Sequence, residues 1–363
     1  MSTPVIDLDH NAGSPLRPEA RAAVLAALDA GGNASAVHGR GRRAKARLED
    51  AREAIAAACG VGPDRVVFTG SGTEADALAL HGRRVVASAV EHPAVLAQPG
   101  VVATLPVDAT GRVRAATIAG AVAAHAADTV AVMAANNETG VIQPLADVRA
   151  ALPAGARLHV DAVQAPGRLD LAGIVALADT VALSGHKLGG PPGVGALVLG
   201  PDVEPAALLR GGGQERYRRA GTENLPGITG FAAALEAAVA STDDARLGAL
   251  RGRLLAGLRG LVPDLVVLGE GAPRLSNTLA VSAPGWRAET LVMALDLAGV
   301  AVSSGAACSS GRVRTSHVLE AMQVRDELME GMLRFSLGWS SREADIDRAL
   351  AAMAPILGRR RAA

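Results

Sequence analysis

The feature that most constrains the fold is an alternation of short apolar runs with segments of helical length. In the first two-thirds of the chain, seven runs are predicted as strands: residues 65–69, 84–89, 101–107, 129–135, 157–163, 180–184 and 194–199. Most are continuously apolar, as in strands covered on both faces. Helices are predicted between them at residues 73–81, 115–126 and 144–152. This alternation predicts an α/β fold with a mainly parallel, doubly wound sheet.

The rhythm changes after about residue 241. Helices are predicted at residues 243–260, 287–298 and 342–357, and strands at 265–268, 277–282, 300–303 and 333–337. Such mixing predicts a smaller α+β unit. The 363 residues are enough for two domains. We therefore expect a large domain at residues 14–242 and a small domain at residues 243–363 joined by residues 1–13.

Charge and composition exclude several classes of function. Lys+Arg and Asp+Glu balance at 36 each, and 2% of residues are aromatic, which disfavours nucleic-acid and membrane-surface binding. The longest weakly polar stretch contains His125 and Asp128, which disfavours a membrane span. Two cysteines cannot build a disulfide framework or a four-cysteine zinc site, and no metal site is predicted. With no leader pattern at the N-terminus, the expected location is the cytoplasm.

Lysine usage is the most informative count. Of the 36 basic residues, only Lys45 and Lys187 are lysines. Lysine can lose its proton and form a Schiff base, whereas arginine cannot. Lys45 lies in the arginine-rich helical segment 40–52 and is expected to face solvent. Lys187 lies in the glycine-rich turn Ser184-Gly185-His186-Lys187, just after a predicted strand, so it is the candidate for covalent chemistry.

Two further segments place polar groups at strand ends. The segment Thr69-Gly70-Ser71-Gly72-Thr73-Glu74 follows a predicted strand and opens a helix, where backbone N–H groups favour an anion such as phosphate. The alternative is a capping box formed by Ser71 and Glu74. Asp161 stands at the carboxyl end of another strand, where open α/β sheets bind ligands, although a lone Asp there is more often a cap.

These three segments together match the needs of pyridoxal phosphate. That cofactor requires an anion site for its phosphate, a lysine for its aldehyde and an acid for its pyridine nitrogen. Because the chain has few aromatic residues, His92 is the candidate to stack on the ring. The alternative for His92 is a surface residue at the start of a helix.

The order of these motifs resembles the group I cysteine desulfurases of the class V aminotransferase superfamily, which are fold-type I pyridoxal-phosphate enzymes. The most specific segments are Asn136-Asn137-Glu138-Thr139-Gly140, Ser184-Gly185-His186-Lys187 and Ser303-Ser304-Gly305-Ala306-Ala307-Cys308-Ser309. The resemblance runs from Leu8-Asp9-His10-Asn11-Ala12 to Arg334-Phe335-Ser336-Leu337-Gly338. It therefore covers nearly the whole chain.

The resemblance implies a role for each matching residue. Lys187 forms the Schiff base, and Cys308 is the catalytic cysteine. His92 stacks on the ring, Asp161 pairs with its nitrogen and Gln164 contacts its phenolic oxygen. The implied phosphate contacts are Gly72, Thr73, Ser184, His186 and, from a partner subunit, Thr222. The implied substrate residues are Asn11, Asn137 and Arg334, and Asn137 also lies against the cofactor.

The residue types at two of these positions suit the same chemistry. Cys308 is surrounded by Ser, Gly and Ala, and the nearby Arg312 and Arg314 favour a thiolate. Cys59, in contrast, follows an Ala-rich helical segment and is predicted to be a small buried hydrophobe. Arg334 stands in an apolar strand and suits a bidentate carboxylate partner, although a surface ion pair is the alternative.

The sequence therefore predicts a homodimeric enzyme that converts L-cysteine to L-alanine. Sulfur passes to Cys308 as a persulfide and then to a protein acceptor, a scaffold or sulfur carrier, in iron–sulfur cluster or other sulfur-requiring biosynthesis. Two enzyme alternatives stay open, a selenocysteine lyase and a class V aminotransferase. A non-catalytic interaction protein on the same fold is the third, and retention of Lys187, Asp161 and Cys308 together argues against it.

Overall fold

The computed structural model describes residues 5–241, 243–304 and 316–357. Its strands are β1 (Ile6–Asp7), β2 (Val66–Thr69), β3 (Val85–Ser88), β4 (Val101–Leu105), β5 (Thr129–Ala131), β6 (Arg157–Asp161), β7 (Thr180–Ser184), β8 (Gly195–Leu199), β9 (Val266–Val267), β10 (Thr278–Ser282), β11 (Val300–Ala301), β12 (Ser303–Ser304) and β13 (Leu333–Ser336). Its α-helices are α1 (Pro18–Ala30), α2 (Gly39–Cys59), α3 (Gly72–Leu80), α4 (Pro93–Leu96), α5 (Ile118–His125), α6 (Leu145–Ala150), α7 (Leu171–Leu177), α8 (Leu225–Val239), α9 (Asp243–Leu261), α10 (Ala288–Leu297), α11 (His317–Ala321), α12 (Asp326–Met329) and α13 (Glu343–Leu357).

A seven-stranded sheet forms the centre of the larger part of the chain. Its strand order is β2-β8-β7-β6-β5-β3-β4. β8 is antiparallel to both of its neighbours, and the remaining pairs are parallel. The predicted α/β fold with a mainly parallel sheet is therefore confirmed. All strands of this sheet except β8 have their carboxyl ends at one edge, which is where such sheets bind ligands.

The strands are nearly continuously buried, which explains their apolar sequences. Residues of β2, β3, β5, β7 and β8 are all buried because helices cover both faces of the sheet. Several predicted strands are longer than the observed ones, and two of them show what the additional residues do. The apolar run 129–135 continues as buried chain after β5 ends at Ala131, and the run 157–163 continues after β6 ends at Asp161.

The C-terminal part builds a second, smaller α+β arrangement, as predicted. Its sheet has the order β12-β13-β10-β9 and is antiparallel throughout. The N-terminal strand β1 pairs in parallel with β11, and Ile6 and Leu8 are buried in the same cluster as Leu250, Leu279 and Phe335. The predicted domain division, with residues 1–13 joined to the small domain and a boundary at residue 243, stays a prediction.

No single helix within the described ranges has the length and apolar composition of a membrane span. Only the pair Leu225–Val239 and Asp243–Leu261, bent by 76° at its break, meets that test when taken together. The predicted cytoplasmic location stays a prediction.

Candidate active site

A cavity of about 400 Å³ opens at the carboxyl edge of the seven-stranded sheet. Eleven of the predicted site residues line it: Asn11, Gly72, Thr73, His92, Asn137, Asp161, Gln164, Ser184, His186, Lys187 and Arg334. They come from segments far apart in sequence, and the common direction of β2, β3, β5, β6 and β7 brings them together. Arg334 reaches the cavity from β13 of the smaller sheet.

The start of α3 forms an anion cradle at one side of this cavity. Ser71 caps the helix, its Oγ accepting from the Glu74 N–H at 3.1 Å. Glu74 Oε2 in turn accepts from the Gly70 N–H at 2.7 Å. The cap and the anion site are therefore compatible, since the cap orders the turn and leaves the first helical N–H groups free to point at a ligand.

Glycine at position 72 is required by close packing. A Cβ atom there would lie 2.9 Å from Val163 Cγ2 and 3.1 Å from Ser184 Cβ. Both distances are shorter than ordinary carbon–carbon contacts. The helix can therefore start this close to the ends of β6 and β7 only with glycine at this position.

Lys187 lies in the turn that follows β7, with its amine in the cavity. Its Nζ donates to the carbonyl oxygens of Asn11 at 2.8 Å and Ala12 at 3.0 Å. Burial is the main cause that lowers the pKa of this amine from 10.5 to about 8, and the Arg334 guanidinium adds to the effect. A larger fraction of Lys187 is therefore neutral near pH 7 than for an exposed lysine, and a neutral amine can act as a nucleophile or a base.

Asp161 ends β6 and is only 7% exposed. Its Oδ1 accepts the Val163 N–H at 2.9 Å. Burial, followed by the nearby Asp76, raises the pKa of Asp161 to about 7. A cationic group placed against this carboxylate would lower that pKa again, because opposite charge favours the ionised form.

His92 and Gln164 lie at two other sides of the cavity. His92 caps α4 through Nδ1, which accepts the Ala94 N–H at 3.1 Å, so the helix-start alternative holds together with the cavity position. Its pKa is lowered by desolvation and then by Lys187 and His317. Gln164 Oε1 accepts from Arg168 Nη1 at 2.6 Å, and Gln164 Nε2 donates to the Asn11 carbonyl at 3.3 Å. These bonds fix which end of the Gln164 amide faces the cavity.

Arg334 is a buried guanidinium with one carboxylate contact. Its Nη2 donates to Asp9 Oδ1 at 2.7 Å and its Nη1 to the Asn137 carbonyl at 3.1 Å. The buried Nε has no hydrogen-bond partner among the described residues. The surface ion-pair alternative is therefore wrong, since Arg334 is only 6% exposed. A buried guanidinium that still has an unused N–H donor suits a carboxylate ligand.

Two of the residues named in the sequence analysis do not line this cavity, and a third is not among the described residues. Thr222 is exposed and is not among the residues lining this protomer's cavity. Cys308 lies outside the described residues. Cys59 is a buried helix residue whose thiol pKa is raised by burial to about 12, which agrees with its predicted packing role. In the described ranges, no cluster of three or more His, Cys, Asp or Glu side chains could hold a metal.

Several residues of the site are not predicted from sequence. Asp76 lines the cavity and contacts His159, which is buried two positions before Asp161 on β6. Arg168 holds Gln164, and Asp9 holds Arg334. The one sequence signal for Asp76 is its place in the otherwise apolar helix segment after Glu74. His159 and Asp161 alternate on one face of a strand, which is a second usable signal.

Comparisons with known proteins place these features in a family. The family model described as aminotransferase class-V matches residues 6–349. The chain is 40% identical to an IscS-like cysteine desulfurase of Mycobacterium tuberculosis, over 98% of this chain and 97% of that protein. It is 42% identical to a cysteine desulfurase of Cereibacter sphaeroides, over 98% and 96%.

Solved structures agree with the fold. A NifS-like protein superposes with a TM-score of 0.89 at 32% identity, covering 98% of this chain and 100% of that one. A NifS-like protein from Rickettsia africae also gives a TM-score of 0.89, at 29% identity and 97% coverage of this chain. The family match spans most of the chain, and the relatives are similar along its whole length. This chain belongs to the class-V aminotransferase family.

Proposed function

We propose that this protein is a pyridoxal-phosphate-dependent cysteine desulfurase. The observation that carries the proposal is the convergence of Lys187, Asp161 and the glycine cradle at Gly72 on one cavity. Relatives that are about 40% identical over nearly the whole chain bear the name cysteine desulfurase. Fold alone would not support a function, whereas a matched set of site residues on that fold does.

The residues present fit pyridoxal phosphate. The start of α3, with Gly72 and Thr73, offers N–H groups and a hydroxyl for a phosphate, and Ser184 and His186 stand beside it. Lys187 offers the one lysine amine of the cavity. Asp161 offers a carboxylate for a protonated ring nitrogen, His92 a flat ring for stacking, and Gln164 an amide for the phenolic oxygen. Thr222 is proposed to reach the phosphate of a partner subunit's site.

When bound, the cofactor supplies an electron sink for the negative charge that develops at the substrate α-carbon. Lys187 Nζ takes the proton from that carbon, for which its lowered pKa of about 8 suits it. Asp161 holds the ring-nitrogen proton in place. Arg334, with its unpartnered Nε, and Asn137 orient the substrate carboxylate, with Asn11 beside them.

Sulfur removal is assigned to Cys308. Its thiolate forms a bond to the substrate sulfur as the carbon–sulfur bond breaks, and the bonding pair of that bond stays with the substrate carbon. That carbon is then protonated, and the α-carbon regains a proton from Lys187, so that L-alanine is released and a persulfide is left on Cys308. A protein acceptor, a scaffold or sulfur carrier of iron–sulfur cluster or other sulfur-requiring biosynthesis, then takes the outer sulfur.

The test is alanine release from L-cysteine in the presence of a reductant. We expect the wild-type protein to release alanine and sulfide in equal amounts, and Cys308→Ser to lose nearly all of both. Cys59→Ser is the matched control and should keep normal turnover, because Cys59 is buried away from the cavity. Normal turnover by Cys308→Ser, or efficient amino transfer to keto acids by the wild type, would overturn the proposal in favour of an aminotransferase.

A further inference from the structure

Three buried carboxyl groups lie at or next to the cavity. Asp76 on α3 is 1% exposed, Glu91 just before α4 is 0% exposed and Asp161 at the end of β6 is 7% exposed. The charges of Asp76 and Asp161 act on Glu91, and that of Asp76 acts on Asp161. Like charges in one buried cluster oppose ionisation, so these three groups are not all ionised at neutral pH. The contacts of each carboxyl group therefore decide which of the three is ionised.

Asp161 has the contacts that favour a carboxylate. Its Oδ1 accepts a backbone N–H from Val163 at 2.9 Å. The Lys187 amine, in the turn after β7, also favours its ionised form. Neither Asp76 nor Glu91 is stabilised by Lys187 in this way. Among the three, Asp161 therefore has the surroundings best suited to a negative charge.

Asp76 has a different partner, the imidazole of His159 on β6. Asp76 Oδ1 lies 3.1 Å from His159 Nε2, and both side chains are 1% exposed. On the other side of the ring, His159 Nδ1 lies 2.9 Å from Thr180 Oγ1. Burial raises the pKa of Asp76 well above its usual value and lowers the pKa of His159 to about 4. Both shifts favour a neutral acid against a neutral imidazole.

In that protonation state, an acid proton on Asp76 Oδ1 sets the direction of both hydrogen bonds. A protonated Asp76 donates to His159 Nε2, which must then be the bare nitrogen of the ring. The ring proton is at Nδ1 and is donated to Thr180 Oγ1. An ionised Asp76 would instead require a proton on Nε2, and an ion pair would require protons on both nitrogens. A bare Nε2 therefore requires a protonated Asp76, because two acceptors would otherwise face each other at 3.1 Å.

Glu91 is also placed as an acid in its neutral form. Its Oε1 accepts the Met133 N–H at 2.7 Å, and its buried Oε2 has no hydrogen-bond partner in the described part of the chain. Burial comes first among the causes that raise the pKa of Glu91, and the charges of Asp161 and Asp76 raise it further, against the lowering effect of the Met133 N–H and the Ser88 hydroxyl. An ionised carboxylate with one bare buried oxygen would be more costly than the protonated acid.

We infer that Asp76 and His159 form a neutral proton-holding pair which, with a neutral Glu91, leaves Asp161 as the one ionised carboxylate of the three. Asp76 and His159 are then positioning residues that act through Asp161. The consequence for catalysis rests on the proposed function, because it is the ring nitrogen of pyridoxal phosphate that Asp161 would face. The charge pattern itself concerns residues of this chain and can be measured without the cofactor.

The first experiment is ¹⁵N NMR of the histidines in the apoprotein at about pH 7. The chain has eight histidines, and His159→Gln identifies the signals of His159 by their loss. We expect a neutral ring with its proton on Nδ1. An imidazolium signal would show an ionised Asp76, and a neutral ring protonated on Nε2 would show that Asp76 does not donate to that nitrogen; either result would overturn the inference. The deciding signal is measured in the wild-type protein, and the variant serves only to assign it.

The second experiment compares isosteric variants in the cofactor-loaded protein. Asp76→Asn keeps a donor to His159 Nε2, and Glu91→Gln keeps an acceptor for Met133. Both remove only the ability to ionise, so we expect the midpoint of the absorbance titration with pH to move by less than about 0.5 unit. A shift of about 1 unit or more in Asp76→Asn would overturn the inference, because it would reveal a charge lost next to Asp161.

Asp161→Asn is the control that distinguishes failure of the inferred charge pattern from failure of the proposed function. It should weaken binding of pyridoxal phosphate by about tenfold or more, since it removes the charge that faces the ring nitrogen. Equal weakening by Asp76→Asn would overturn the inference and leave the proposed function intact. A wild-type protein that binds no pyridoxal phosphate would contradict the proposed function, while the proton position on His159 would still decide the inference.

Discussion

Burial and the Arg334 guanidinium lower the pKa of the Lys187 amine from 10.5 to about 8, and this gives a pH dependence that can be measured. Only the neutral amine attacks an aldehyde, so its reactive fraction rises with pH up to the pKa and levels off above it. We expect the initial rate at which apoprotein takes up pyridoxal phosphate to rise through about pH 8 and then reach a plateau. An unperturbed lysine would give a rate that keeps rising to its pKa of 10.5.

The same experiment identifies the residue that is labelled. After borohydride reduction, peptide mapping should find the label on Lys187, and Lys187→Arg should take up none. Lys45→Arg is the matched control, because Lys45 is exposed on α2, away from the cavity. Label on Lys45, or a rate that has no plateau near the expected pH, would contradict this prediction.

Burial should make Cys59 much less reactive toward alkylating agents than an exposed thiol. Cys59 ends α2, is 1% exposed, and burial raises the pKa of its thiol to about 12. Since only the thiolate reacts with alkylating agents, we expect iodoacetamide to leave Cys59 unmodified in the folded protein and to modify it in denaturant. Mass spectrometry of the Cys308→Ser variant measures this without interference from the second thiol. Modification of Cys59 in the folded variant would show that α2 opens or packs differently.

At the scale of single elements, the start of α3 makes a prediction about phosphate. Gly72→Ala would place a Cβ 2.9 Å from Val163 Cγ2 and 3.1 Å from Ser184 Cβ. The start of α3 must then move away from the ends of β6 and β7, and its N–H groups no longer point at the phosphate. We expect the affinity for pyridoxal phosphate to fall by about tenfold, which is about 1.4 kcal/mol, as measured by titration calorimetry.

Gly120→Ala is the control for this substitution. Gly120 lies in α5, and a Cβ there would meet nothing within 4 Å. Alanine should therefore leave cofactor affinity unchanged and stabilise the helix by about 0.5–1 kcal/mol. The affinity for pyridoxal, which lacks the phosphate, should change little in either variant. If Gly72→Ala weakened pyridoxal and pyridoxal phosphate equally, the cradle would not be the phosphate site.

Elements that follow local rules are predictable from the sequence. α3 is predicted at residues 73–81 and lies at Gly72–Leu80, because Ser71 and Glu74 mark its start. The predicted strand 129–135 is four residues longer than β5, although the chain after Ala131 stays buried and its Val132 and Ala134 N–H groups still donate to carbonyl oxygens of β6. α1 and α8 are not predicted; they pack on each other, and their Ala-rich sequences carry little helical periodicity.

The site is predictable only where a residue type has special chemistry. Lys187, Asp161 and Gly72 can be singled out because lysine, a strand-end acid and a helix-start glycine are few and well placed. Asp76 and His159 carry weaker signals, since their roles depend on contacts across 83 and 21 residues of sequence. Such contacts between buried polar groups are set by packing of α3 against the sheet, which a single sequence does not display.

At the scale of the whole molecule, a single protomer exposes large apolar side chains that a second copy of the chain would cover. Leu28 of α1 is 59% exposed, Val37 is 88% exposed and Tyr217 is 79% exposed. Tyr217 belongs to the segment 211–221, beside a cavity of about 540 Å³ that is lined by Arg52, Gln214 and Glu215. Exposed large apolar side chains mark protein–protein contact surfaces where they form a continuous patch. They support the proposed homodimer, in which this segment approaches the partner.

The shared site can be tested by mixing two inactive variants. Lys187→Ala removes the amine, and Thr222→Glu places a negative charge against the phosphate that Thr222 is proposed to contact in the partner. Both homodimers should be inactive. In a mixed dimer, one site would combine both defects, while the other would have the intact Lys187 of one chain and the intact Thr222 of the other.

Because a random mixture is half mixed dimers, each with one intact site, we expect about a quarter of wild-type activity after the chains are unfolded and refolded together, with a dimer mass by light scattering. Recovery of no activity from such a dimer would place Thr222 in its own chain's site, and a fully active monomer would remove the need for a partner.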